Sequence, residues 1–132
     1  MRNALRLEKY MNNLKIETTD NKIEYLPSER VRGTCSWSFD TTPKGIELRL
    51  FWYTSGKGTT DVNTVEVLSV NEPLKEGKRD FSFTLPAIPW SFSGKLISLM
   101  WALEMIAEPG GETERFDITV SPSGKKILLE RT

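Results

Sequence analysis

The sequence predicts an all-β protein built as a single-domain antiparallel sandwich, and three observations carry that prediction. Residues 31–39 alternate without a break, with Val31, Gly33, Cys35, Trp37 and Phe39 on one side and Arg32, Thr34, Ser36 and Ser38 on the other, the pattern of a strand with one buried and one wet face. Roughly eight or nine such short stretches follow one another, separated by turn residues at the spacing of a sandwich or barrel. The longest apolar run, Gly94 to Ala107, also reads better as a strand than as a helix.

In chain order, Leu14 and Ile16 alternate with Lys15 and Glu17 before an Asp20-Asn21 turn, where each side chain can bond its own backbone. Ile23 and Tyr25 follow, then a Pro27-Ser28-Glu29 turn and the 31–39 strand. After the loop at 42–45, Ile46, Leu48, Leu50 and Trp52 share one face. The opposite face begins charged with Glu47 and Arg49 and ends aromatic with Phe51 and Tyr53. Ser55 to Gly58 breaks that pattern. Val65 and Val67 start another strand, whose apolar set then shifts to Leu68 and Val70; one extra residue flips the faces, so a bulge is expected. Residues 73–77 read as loop, Phe81, Phe83 and Leu85 as a strand, and Pro86 and Pro89 as its end. Phe116, Ile118 and Val120 form another strand after the Pro109-Gly110-Gly111 breaker, and Ile127 to Leu129 a last short one.

Within 94–107, Leu, Met, Ala and Glu favour a helix by propensity, but periodicity opposes it. Ile97, Leu99, Trp101, Leu103 and Met105 are uniformly apolar, while Ser98 and Glu104 fall on the other parity. A helix turns about 100° per residue, so those two would lie about 120° apart and no polar side would form. The odd face is expected to be core, and the even face less buried. A strand of this length exceeds the common range, so a bend or the loss of residues at its ends is expected.

Composition narrows the function. The 132 residues suit one domain. Apolar residues reach only 38%, so the core must lean on four Trp, six Phe and three Tyr, whose rings bury much area each. Lys and Arg (18) balance Asp and Glu (18), which argues against a nucleic-acid partner. The chain has no histidine, which removes the commonest general base, the usual triads and most zinc sites. No catalytic residue, metal site or cofactor is expected. Cys35 cannot form an internal disulfide and lies on the apolar parity of its strand, where a packed thiol is expected. No run reaches the roughly 18 apolar residues of a transmembrane segment, and residues 1–13 lack a signal-peptide core. A cytoplasmic location is therefore expected.

Two stretches carry a family resemblance. Tyr25-Leu26-Pro27-Ser28-Glu29-Arg30-Val31-Arg32-Gly33 is similar to the Y-x-P-G-E-x-V-x-G run of arrestin-type proteins, with Ser28 in place of the usual Gly. Ser91-Phe92-Ser93-Gly94 followed by Leu99-Met100-Trp101-Ala102-Leu103 resembles the S-F-x-G run and the strand after it, with Trp101 where a Tyr is usual. The order matches, and the resemblance covers about residues 13–120. It implies an immunoglobulin-like, arrestin-like antiparallel β-sandwich over residues 13–132, preceded by an extension over residues 1–12, and only one of the two sandwiches of arrestins proper. The buried charged core with which that family detects phosphate has no counterpart here.

The resemblance implies a non-enzymatic adaptor or scaffold module that takes a protein or peptide partner at a sheet edge or an outer-face patch. Phe51, Tyr53 and Trp90 are the candidate partner-binding residues, because aromatic side chains anchor interfaces. Two other classes stay open: a self-associating structural protein, hence a homo-oligomer, and a sandwich that binds a ligand such as a sugar. Gly56-Lys57-Gly58-Thr59-Thr60 lacks the spacing of a phosphate loop and reads as a solvated loop. Arg30, Arg32, Lys78 and Arg79 read as solvated edge charges. Glu112 and Glu114 are expected in a loop.

Overall fold

The apolar run at 94–107 is a strand, and the rest of the fold is laid against it. The computed structural model describes residues 13–56, 58 and 60–129; the expected extension at 1–12, and Lys57 and Thr59 of the glycine-rich loop, lie outside them. The strands are β1 (Asn13–Thr18), β2 (Glu24–Tyr25), β3 (Arg30–Ser38), β4 (Gly45–Gly56), β5 (Val62–Asn71), β6 (Glu76–Thr84), β7 (Phe92–Gly94), β8 (Ile97–Glu108), β9 (Glu112–Val120) and β10 (Ile127–Leu129). One 3-10 turn, Thr19–Asn21, joins β1 to β2.

Two sheets form the sandwich. The smaller has the order β1-β3-β6, all antiparallel. In the larger, β8 is central: β4 pairs along its whole length on one side, and β7 and β9 share the other. β5 is the outermost strand beyond β4. Two short pairs are parallel, β2 with β9 and β10 with β7, an arrangement that alternation alone does not announce.

The parities hold where hydrophobic burial sets them. Leu99, Trp101, Leu103 and Met105 of β8 face Ile46, Leu48 and Leu50 of β4 and, from the other sheet, Val31, Cys35, Trp37, Phe81 and Phe83, all buried. Trp101 is wholly buried, and its Nε1–H donates to the Pro89 carbonyl at 2.9 Å, so its one polar atom is satisfied. Trp52 is only half-buried, packed at the margin of the core. β8 starts at Ile97, leaving Leu96 exposed, so the long run does lose residues at its front; Ile97 itself, on the parity expected to be core, is 44% exposed because it stands at the strand's open end. Its even face is less buried except at Ala102, which is fully covered.

Some local expectations need correction. β4 continues through Ser55 and Gly56, because these residues pair with Ser98 and Ile97; cross-strand partners override a local breaker. β6 begins at Glu76, ahead of the expected boundary, because Glu76 and Gly77 pair with Ser38 and Trp37 of β3; Gly77 lies under Trp37, where a Cβ would be 2.6 Å from the ring. Glu112 and Glu114 are strand residues of β9, opposite Ala107 and Met105. β5 has a bulge, but not at the Val67–Leu68 shift, where residues 66–71 pair with β4 without a break and Val67 is simply exposed on the outer face; the register slips earlier, so that Glu66 faces Leu50, Thr64 faces Phe51 and Val65 is skipped.

The two motif stretches share a neighbour, Val120 at the end of β9, which pairs with Tyr25 and bonds Ser91. Ser28 takes the left-handed conformation (φ 68°), which costs a non-glycine residue energy. The turn holds it there: the Ser28 N–H donates to the Pro86 carbonyl, the Leu85 N–H donates to the Glu29 carbonyl, and Glu29 caps its own turn by accepting the Leu26 N–H at 2.7 Å. Ser91, buried, accepts the Val120 N–H through Oγ at 2.9 Å and donates its own N–H to the Val120 carbonyl at 2.7 Å. It therefore fastens the end of β9 beside the start of β7.

Cys35 is wholly buried, and burial pushes its thiol pKa up. Since the thiolate is the reactive form, a disulfide reagent at about pH 8 is expected to label the native protein only as fast as it unfolds. Prompt labelling of the folded protein would show that β3 opens locally.

Candidate functional site

The outer face of the large sheet holds a built aromatic cluster. Phe51 and Tyr53 are two residues apart on β4, so they share a face, and their rings stack with centroids 5.8 Å apart. Across the sheet, Arg49 faces Glu104 and Glu104 faces Arg115, while Phe51 faces Ala102 and Ala102 faces Asp117. Arg115 leans diagonally from β9 across β8, and its guanidinium lies 5.3 Å from the Phe51 centroid and 4.9 Å from that of Tyr53. Ala102 is short enough to let it pass, and is itself covered. A guanidinium over ring faces is held by the ring quadrupoles. Glu104 lies 3.9 Å from Arg115, and the Tyr53 hydroxyl reaches the Met100 sulfur at 3.5 Å.

The three candidate aromatics are not equivalent. Phe51 is only 3% exposed, so it supports the platform and offers almost no contact surface. Tyr53 is half-buried, and its exposed part, with Arg115, forms the accessible top of the stack. Trp90 is not part of that stack. It sits on the loop between β6 and β7, 41% exposed, with its Nε1–H donating to the Ala87 carbonyl at 2.8 Å. Ile88, 70% exposed, is on the same loop.

The β5 edge was not singled out by sequence. Val62, Val65 and Val67 are exposed along it, and beyond β5 the sheet has no further strand among the described residues. Edge strands are commonly blocked by Lys or Pro, yet residues 60–72 contain neither. Val62 faces Tyr53 and Val67 faces Arg49, so the edge continues into the aromatic platform. Glu66 has the opposite parity, and its carboxylate accepts the Thr84 N–H of β6 at 3.0 Å, a clasp between the two sheets. The signal available in sequence was the lack of Lys and Pro over 60–72; its meaning required knowing that β5 is outermost.

A cleft of about 400 Å³ beside the Tyr25–Gly33 stretch is lined by Lys22, Tyr25, Glu29, Arg30 and Arg32 among others. Two of its charges engage each other and a third is held by a serine. Lys22 pairs with Glu29 and lies over the Tyr25 ring, and Arg30 donates to Ser82. Burial pushes the Glu29 carboxyl up, but the Lys22 ammonium and the Leu26 N–H outweigh it and hold the group below the usual carboxylate range. Among the described residues, no group of three or more His, Cys, Asp or Glu side chains converges as a metal site would need. Among the same residues, no helix is long and apolar enough to cross a membrane.

No family model and no curated protein matches the sequence. Among solved structures, the chain is similar to Spo0M, a sporulation control protein from Bacillus subtilis, with a TM-score of 0.60 and 22% identity over 83% of this chain and 49% of Spo0M. The chain thus spans about half the length of that protein. This likeness shows the fold, an arrestin-like β-sandwich. Weaker likenesses are to a β-glucosidase from Listeria innocua (TM-score 0.47, 9% identity, 89% of this chain and 17% of that one) and to the Pseudomonas fluorescens alkylpurine DNA glycosylase AlkC (0.42, 12%, 89% and 32%). Scores that low carry no argument about this chain.

Proposed function

We propose that the chain is a non-enzymatic protein-interaction module, an adaptor or scaffold of arrestin-like type, acting in the cytoplasm. It takes a protein or peptide partner along β5 and over the adjoining Tyr53–Arg115 platform. The observation that carries this reading is the edge itself: an outermost strand free of Lys and Pro, with three exposed valines, runs directly into a preformed aromatic stack. Strand addition supplies main-chain hydrogen bonds, and the side chains beside the edge supply selectivity. That Spo0M is a control protein is compatible with this reading.

The test is quantitative co-purification from the native lysate with wild type, Val67→Lys, Tyr53→Ala and, as a control on the outer face of the small sheet, Lys15→Gln. The reading expects one saturable partner, lost with the first two variants and retained with the third. An unchanged set of recovered proteins across all four would sink it. Self-association is the competing reading of the same edge, and a monomeric mass by light scattering at high concentration would dismiss it.

A further inference from the structure

The two faces of β5 differ in chemistry. Val62 and Val67 lie on the outer face, opposite Tyr53 and Arg49. Glu66 lies on the other parity, opposite Leu50, and Asp61 shares that parity one residue before the strand begins. From Thr60 to Glu72 there are three carboxylates and no cation. The neighbouring β6 carries Lys78 and Arg79, but Glu66 meets β6 at Thr84, beyond Asp80 from those cations. The acidic half of the edge is therefore its Asp61–Glu66 end.

A strand laid beside β5 must obey the same parities. Its residues next to Val62 and Val67 point to the outer face, and those next to Glu66 point to the opposite one. We propose that the partner segment is an extended strand in which apolar residues alternate with Lys or Arg. The apolar side chains lie over the valines, and the cations meet Glu66 and Asp61. A second copy of β5 fits poorly: an antiparallel pair centred on Glu66 sets carboxylate against carboxylate, and one centred on Val67 sets Glu66 against Leu68. Opposed like charges are destabilising in a sheet. This inference rests on β5 as the docking edge and names the chemistry of what docks there.

The test uses the full chain and labelled synthetic peptides read by fluorescence anisotropy: alternating Lys-Val, alternating Glu-Val, and Lys-Val with N-methylated amides. The Lys-Val peptide is expected to bind at least about tenfold more tightly than Glu-Val, and to weaken as salt screens the charges. N-methylation is expected to abolish binding by removing the ladder donors. The double variant Glu66→Gln with Asp61→Asn keeps the acceptor for Thr84 and is expected to erase the Lys-over-Glu preference. Equal binding of Lys-Val and Glu-Val, or binding that survives N-methylation, overturns the proposal. So does a carbodiimide crosslink between Glu66 and Lys9 of the same chain in peptide-free protein, because the edge would then be filled by the chain's own N-terminal segment. If no peptide binds while Val67→Lys still strips the native partner, the cationic-strand inference fails alone and the docking reading stands. If Val67→Lys also has no effect, both fail.

Discussion

Trp101→Ala is expected to destabilise the protein by about 3–5 kcal/mol, the range for removing a large buried aromatic side chain. The side chain is wholly buried at the centre of β8, and its Nε1–H satisfies the Pro89 carbonyl. A typical domain is stable by only ~5–15 kcal/mol, so the variant stands near the edge of folding at ambient temperature. Trp101→Phe separates the two contributions. It keeps most of the ring but leaves the Pro89 carbonyl without that donor, a loss of about 1–3 kcal/mol. Chemical denaturation followed by circular dichroism checks both, and a midpoint unchanged in Trp101→Ala would refute the placement of this residue in the core.

Gly33→Ala is expected to cost about 3 kcal/mol, the upper part of the range for overpacking, despite adding a single methyl group. A Cβ at this position would lie 2.0 Å from the Glu17 carbonyl oxygen, 2.9 Å from Thr18 Cα and 2.8 Å from the Phe81 ring. Two of those atoms are backbone, so a rotamer change cannot relieve the clash; β1 must move away from β3. Hydrogen exchange should then show faster exchange at Ile16 and Thr18 while β8 stays protected. Gly45→Ala is the control, because nothing lies within 4 Å of a Cβ there. Equal stability of the two variants would mean that β1 does not pack as described.

Much of this fold was legible in sequence, for a physical reason. Where one face of a strand is buried and the other wet, as at 31–39 and along β8, alternation records the burial directly. The bulge at Val65 was misplaced by the pattern: apolar residues at 65, 67, 68 and 70 point to a slip between 67 and 68, because Val65 and Val67, both exposed, imitate a buried face. Phe51 marks the limit. Its parity placed it correctly on the outer face, but parity cannot show that Arg115, 64 residues later in the chain, lies over its ring. Trp52 was legible as inward-facing but not as marginal, since its depth depends on how far the opposite sheet extends. The parallel pairs β2–β9 and β7–β10 escaped because so short a pairing leaves almost no periodic trace. The final Gly of the first motif was visible as a resemblance; the reason for it, the approach of Glu17 and Thr18, is tertiary.

The same pairing scheme constrains how the chain folds. Among the described strands, only β4–β5, β7–β8 and β8–β9 join neighbours that are consecutive in the chain. β3 waits for β6, β4 for β8, and β2 for β9, nearly a hundred residues later. Closing such distant pairs must come before their contacts reward it, which places a chain of this topology among the slow, millisecond-to-second folders. During synthesis, β3 leaves the ribosome without its β6 neighbour, with Val31, Cys35 and Trp37 still wet. Until Phe81 and Phe83 follow, the half-made sandwich has a sticky face, and that interval is when a chaperone has most to offer it.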